Sequence, residues 1–365
     1  MYPDCGFYCL LLKQIVHWCL AFASFNVYLR FLFFEHKSYC LFLNSMIKLR
    51  NIRYLTAEKL TFVYILISSL IILISRYGTN TGYELLKARL LIVCAIVGLA
   101  YINCYKDWWI IRITRVALLL SLLSYWYPET YEVNRVLLNY DHVLASFEQY
   151  LFGCQPALVF PKRFPQLLCS EIMNMGYFSY YFLIAGSCVY FFFSSPRYFG
   201  LFFFVVLFSF YSYYLIYMLF PTAGPQYYFQ AIGIDNALNG NFFQLGHYFN
   251  YNYKLMDNNN MPGVFFDLVE KSQLLGERPT AAFPSSHVGI STIIMIMIFR
   301  YKKYIVFACL IPVYLALVGA TVYIQAHYVI DVIMGFVSAF ALCYLAIGLY
   351  RLINCHEMFH YKRDI

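Results

Sequence analysis

The residues equipped for chemistry sit in two short stretches. One is Ala281-Ala282-Phe283-Pro284-Ser285-Ser286-His287-Val288, and the other is Ala326-His327-Tyr328-Val329-Ile330-Asp331. His327 and Asp331 stand at i and i+4. If residues 327–351 are helical, the two side chains share a face and the carboxylate can accept the Nδ1–H of the imidazole. Nε2 is then a lone pair of fixed direction, the arrangement of an oriented nucleophile or base. His287 follows Pro284-Ser285-Ser286 at a predicted helix start, where unbonded N–H groups and the positive end of the helix dipole suit an oxyanion such as phosphate. A histidine placed there can protonate a leaving oxygen. The plainer alternative makes each histidine a polar tip at a membrane interface and the serines mere helix caps. Ionisable residues beside apolar spans are rare and usually functional, which favours chemistry for the three taken together.

The elements that must hold these residues are membrane spans. Of 365 residues, 62% are hydrophobic, 21% aromatic and only 12% charged, a balance no soluble domain keeps off its surface. The fold class expected is all-α: a polytopic helical bundle of about eight spans, at 61–76, 84–104, 109–127, 176–195, 198–220, 286–300, 303–324 and 330–351. Several of these runs approach the roughly 20 residues a helix needs to cross a bilayer. No β pattern competes. The net charge of +8 reads as topology information and not as a nucleic-acid footprint, because basic residues gather in short loops. If Arg300-Tyr301-Lys302-Lys303 is cytoplasmic, simple alternation puts Lys106, Arg112, Arg115, Arg197, Arg351, Lys362 and Arg363 on the same side. Arg76, Lys87 and Arg89, in the first outer loop, are the exceptions. Two longer segments, Pro128–Met175 and Pro221–Pro284, then lie outside, with His287 and His327 at that outer face. The twelve cysteines include no CxxC pair, which argues against a zinc or redox site; no metal and no cofactor is expected.

Residues 1–45 fit less well, since Lys13, His17 and Arg30 interrupt their apolar run. The segment is either an overextended start ahead of Met46-Ile47-Lys48-Leu49-Arg50, or an added span or surface helix. The remaining divisions expected are an N-terminal segment 1–60, three spans over 61–127, an extracytoplasmic interfacial segment 128–175, a catalytic bundle 176–352 and a cytoplasmic tail 353–365.

FPSSHV followed by HYVIDVIMG resembles the second and third signature motifs of the type 2 phosphatidic acid phosphatase (PAP2) superfamily. That resemblance implies a six-helix core in which His327 attacks phosphorus to form a phosphohistidine, Asp331 orients it, and His287 is the acid. Ser285 and Ser286 then help to hold phosphate. Two departures are visible. The arginine usual six residues before the third-motif histidine is replaced by Thr321, which removes a bidentate clamp. The first motif, Lys and then Arg-Pro after six residues, has its spacing in Lys271 and Arg278-Pro279, but directly upstream of the second motif. Arg278 can supply a cation from that loop; the alternative for both residues is simple solvation. Phe220-Pro221-Thr222-Ala223-Gly224-Pro225-Gln226-Tyr227-Tyr228 is similar to a motif of the inositol phosphorylceramide synthase branch, which also lacks the third-motif arginine. By that resemblance Gln226 and Tyr227 sit at the lip of the pocket and bind a polar head group. YPETYEVNRVL at 127–137 and FGCQPALVFPKRFP at 152–165 resemble bacterial members of the branch, which implies a bacterial inner membrane; no chemistry attaches to them, and helices along the outer surface are expected there.

The function expected is transfer of a phosphoryl-bearing head group from a lipid or lipid-linked phosphate to an alcohol or to water. The alternatives are a plain lipid phosphate phosphatase and, from another class, a transporter. A conduit would spread polar residues through several spans at all depths, whereas here they gather at one face.

Overall fold

The computed structural model describes residues 52–256 and 263–361, so the expectations for 1–45 lie outside it. Within these residues the chain is all-helical, with thirteen α-helices, one 3-10 turn and no strand. Seven helices are long and apolar enough to cross a membrane. The chain divides into two units, one of residues 52–72 and 77–125, the other of 73–76 and 126–361.

The first unit holds α1 (Thr56–Ser75) without its last turn, α2 (Asn80–Tyr105) and the front of α3 (Trp109–Asn134). Its interior contains a buried ion pair. Arg115 Nε donates to Glu58 Oε1 at 2.7 Å and Nη2 to Oε2 at 2.5 Å, while Nη2 also reaches the Arg53 carbonyl at 3.0 Å. Taking two charges out of water is costly, and the fork geometry with added backbone partners offsets that cost. Arg89 is likewise buried, donating to Ser68 Oγ at 3.1 Å. The loop after α1 is therefore short, and Lys87 and Arg89 are residues of α2 and not loop charges.

The second unit contains α4 (Asp141–Phe152), α5 (Pro156–Arg163), α6 (Leu167–Ser194), α7 (Pro196–Leu219), α8 (Pro225–Ile232), α9 (Ile234–Leu238), α10 (Val264–Gly276), α11 (Ser286–Arg300), α12 (Tyr304–Tyr323) and α13 (Val329–Tyr361). Helices α6, α7, α11, α12 and α13 pack on one another. At Gly176 the approach of α6 to α12 is so close that a Cβ would lie 2.6 Å from the Ala316 carbonyl carbon. Boundaries differ from expectation in two places. Helix α3 carries Pro128 in its interior and continues to Asn134, because Asn134 Nδ2 is tied to the Tyr217 carbonyl at 2.8 Å and to Thr280 Oγ1 at 2.6 Å. The span expected at 176–195 starts at Leu167, directly after Pro165 and Gln166.

Helix α11 has only 15 residues. At 1.5 Å per residue it is about 22 Å long, short of the roughly 30 Å hydrocarbon core. It begins late because Pro284 cannot extend a helix backwards and Ser285 caps it, accepting from the Val288 N–H at 3.4 Å. Around this end, α4, α5, α8 and α9 form an apolar cap with Leu144, Leu158, Tyr228, Phe229 and Tyr328 in its core.

Candidate active site

Three irregular segments meet at the start of α11. Backbone hydrogen bonds knit them together: Ala282 N–H to the Thr222 carbonyl at 3.1 Å, Gln226 N–H to that of Gln325 at 2.9 Å, Ser285 N–H to that of Asp331 at 3.0 Å, and His327 N–H to that of Thr321 at 3.0 Å. Ala281 and Gln325 hold φ of 68° and 65°, a region that costs a non-glycine residue of order 1 kcal/mol and persists only where surroundings impose it. Gly224 is required by space as well as by its φ of 90°, since a Cβ would stand 2.6 Å from the Ala326 carbonyl oxygen.

His327 is buried in this knot. Its Nδ1 lies 2.8 Å from the Ala282 carbonyl oxygen, which can only accept. Nδ1 therefore carries the proton and Nε2 the lone pair. Burial pushes the imidazole down to about 4, against the opposing pull of the Ala282 carbonyl and of Glu277. Nε2 faces His287 Nδ1 at 3.3 Å, so the His287 nitrogen is the donor there. The expected helix-face pairing with Asp331 is corrected in its geometry. His327 precedes α13, and Asp331 Oδ2 stands 3.5 Å from Nδ1, because that oxygen accepts the Tyr328 N–H at 2.8 Å. This is a capping-box contact, the third helical residue reaching back to the N-cap amide.

His287 is clamped by two aromatic rings, Tyr177 at 4.7 Å and Tyr180 at 4.4 Å between centroids. Tyr177 Oη donates to Glu277 Oε1 at 3.0 Å, and Gln226 Nε2 donates to Glu277 Oε2 at 2.7 Å. Desolvation raises the Glu277 carboxyl above its ordinary value in spite of these donors. Gln226 Oε1 in turn accepts from Gln273 Nε2 at 3.1 Å. Gln226 and Tyr227 are thus buried, with the Gln226 amide engaged at both ends, and they do not form a lip. Their place inside follows from α8 being a packed element of the cap.

Ser285 and Ser286 are buried beside the histidines. Tyr217 holds this turn, its Oη donating to the Pro284 carbonyl at 2.8 Å and accepting the Ser286 N–H at 3.0 Å. Arg278 donates from Nη1 to the Glu277 carbonyl at 2.9 Å, and Lys271 is exposed on α10. No hydrogen bond joins either cation to His287, His327 or Asp331 among the described residues. Thr321, at the position of the expected arginine, is fully buried and turns its hydroxyl to the Val318 carbonyl at 2.8 Å.

The family model described as PAP2 superfamily matches residues 142–345, more than half of the chain. The chain belongs to the PAP2 superfamily. No curated protein and no solved structure matches it. The matched region runs from α4 to about the middle of α13, so the PAP2 match takes in every residue named above around the histidines. Membership points to lipid-phosphatase-type activity in a multi-pass membrane protein. Sequence reasoning passed over Tyr177, Tyr180, Tyr217 and Glu277. Tyrosines are too common in this chain, 37 in all, for any one to stand out. Glu277 did have a signal, being an acid next to Arg278-Pro279 in an apolar neighbourhood.

Proposed function

We propose that the protein cleaves a phosphoester of a lipid or lipid-linked phosphate through a phosphohistidine on His327 and passes the phosphoryl-bearing group to an acceptor hydroxyl. The observation that carries this is the facing pair of nitrogens, a lone pair on His327 Nε2 and an N–H on His287 Nδ1, 3.3 Å apart. A phosphoryl group entering between them meets a nucleophile on one side and a proton donor on the other. Near-attack geometry needs about 3 Å on each side of the reacting group, so the His287 ring must swing aside by a few ångström as substrate enters. Nε2 attacks phosphorus, the ester bond to the leaving oxygen breaks, and His287, acting as the imidazolium that the bound phosphate anion favours, passes its Nδ1 proton to that oxygen and is left as the neutral imidazole. The imidazolium so formed at His327 is stabilised by Asp331 and by the Ala282 carbonyl. The acceptor then takes the phosphoryl group and surrenders its proton to His287. Ser285, Ser286 and the first turn of α11 hold the phosphoryl oxygens, with Arg278 and Lys271 as the nearby cations in sequence. By the charge pattern, the site faces the extracytoplasmic side.

The acceptor is an alcohol in the branch reading, with Gln226 and Tyr227 shaping its site through Glu277. The second reading, water as acceptor, is favoured by the Gln226 amide, which is fully occupied within the protein. Purified protein incubated with a panel of lipid phosphates, with and without inositol and other alcohols, decides between them when free phosphate is scored against new lipid. His327→Ala should abolish turnover and the acid-labile phosphoenzyme. Full activity in that variant would refute the reading.

A further inference from the structure

The turn that carries the nucleophile has an unusual cap. Tyr328 is its N-cap residue, and a tyrosine has no short side-chain oxygen to give the first amides of α13. The acceptor comes instead from α4: Glu148 Oε1 takes the Val329 N–H at 2.6 Å. Seven residues earlier on the same helix, Asp141 accepts the Tyr328 hydroxyl at 3.1 Å, and also the amides of Ala223 at 2.6 Å and Gly224 at 2.8 Å. Glu148 and Asp141 are both fully buried. Asp331 Oδ1 is a buried oxygen that makes no hydrogen bond, and Glu148 Oε2 makes none of good geometry, although the Ile330 amide also favours the carboxylate.

We propose that Glu148 is a positioning residue for the transfer reaction: by docking on the first turn of α13 it holds the His327-to-Asp331 turn in register with His287. The inference rests on the phosphohistidine reading of the same site. Its physical basis is that Val329 lies two residues after His327 and two before Asp331, so a displaced Val329 amide displaces both. The carboxylate also adds negative charge behind Asp331, which favours the imidazolium formed when His327 is phosphorylated. The titratable groups facing Glu148 are Asp331 and Tyr328 of the turn, with Asp141 on its own helix beyond Tyr328. Burial pushes the Glu148 carboxyl up to about 7, opposed by the Val329 and Ile330 amides and reinforced by Asp331. Its ionisation is therefore expected near neutral pH.

The test is Glu148→Gln in the full-length protein, read as kcat, KM, rate of phosphoenzyme formation and pH profile, beside His327→Ala. Gln keeps an oxygen for Val329 but never ionises. The expected result is about tenfold lower kcat with KM unchanged, and a pH profile in which kcat of the wild type increases through pH 7 while that of the variant does not. Glu148→Ala should cost on the order of a hundredfold, since a misplacement near 1 Å can do so. A thermal melt in detergent separates this from unfolding, with Glu148→Gln as the variant that keeps the question open if Glu148→Ala does not fold. If Glu148→Gln keeps wild-type kcat and the same inflection near pH 7 while His327→Ala is dead, the positioning role is overturned and the phosphohistidine stands. If His327→Ala remains active, the underlying reading fails.

Discussion

Gly335 sits on α13 where that helix passes Ser285, and it offers a direct probe of how finely the two histidine segments are set. A Cβ added there would stand 2.4 Å from the Ser285 carbonyl oxygen, with the Ser285 carbonyl carbon and Cβ both at 3.3 Å. Ordinary contact begins near 3.4 Å, so the helix and the Ser285 turn must part by about 1 Å. Backbone oxygens cannot rotate out of the way as a side chain can. Overpacking of this kind costs about 1–3 kcal/mol, against which the helical preference of Ala over Gly returns up to about 1. The larger effect is on rate. Ser285 is two residues before His287, and Asp331 is one turn before Gly335, so the separation is transmitted to the facing nitrogens. A shift of that size corresponds to about a hundredfold loss in kcat. Gly348 on the same helix is the control, because nothing lies within 4 Å of a Cβ there. Gly348→Ala should be as active as wild type and slightly more stable. Phosphate release from a lipid phosphate, with a thermal melt for each variant, makes the comparison. Gly335→Ala matching Gly348→Ala in both would show that the close approach does not govern the site.

Tyr217→Phe leaves the Pro284 carbonyl and the Ser286 amide without their partner; at about 1–3 kcal/mol for each buried group, a loss of about 2–6 kcal/mol is expected by reversible unfolding, with activity reduced. His287→Ala should slow substrates with poor leaving groups by about 10²–10⁴-fold and spare those with good ones, as competing leaving groups in one assay would reveal. The His327 imidazole, held near 4 by burial, is neutral in the folded state where the unfolded one would begin to protonate below 6.5. It thus contributes stability present above pH 6.5 and lost as pH falls through 4. In the Glu148→Gln background a substrate with a good leaving group should keep its rate to about pH 5 and lose it through pH 4. Labelling of intact cells should leave a cysteine at position 301 protected and one at 239 reactive; both on one side would overturn the assigned topology.

Most of the helical framework was legible because apolar runs of span length need no tertiary context to declare themselves. The end of α3 was not, since Pro128 signals a stop and only the partners of Asn134 across the bundle explain why the helix continues. His287, His327 and Asp331 were legible as a group, because polar residues are conspicuous in so apolar a chain. Their detailed pairing was hidden. The i,i+4 spacing pointed to a carboxylate–imidazole bond, but Asp331 is drawn to the Tyr328 amide, and the Ala282 carbonyl that orients His327 is a backbone atom, which no residue pattern announces. The same holds for Glu148, whose partner is an amide 181 residues away.

The two glutamate caps, Glu148 buried and Glu171 half-buried, have a consequence for how the protein is made. Glu171 of α6 takes the amides of Phe265 and Phe266 at 3.0 Å each, at the start of α10, as Glu148 takes that of Val329. In both cases the acceptor precedes the donor in the chain. During synthesis from the N-terminus, each carboxylate is already present when the later helix end arrives, so a polar terminus emerging into an apolar setting meets a waiting partner. Reversing that order, by a circular permutation that places α10 to α13 first, would expose those amides unpaired while the rest of the chain is still being built, and should lower the yield of inserted protein even where the finished fold is unchanged.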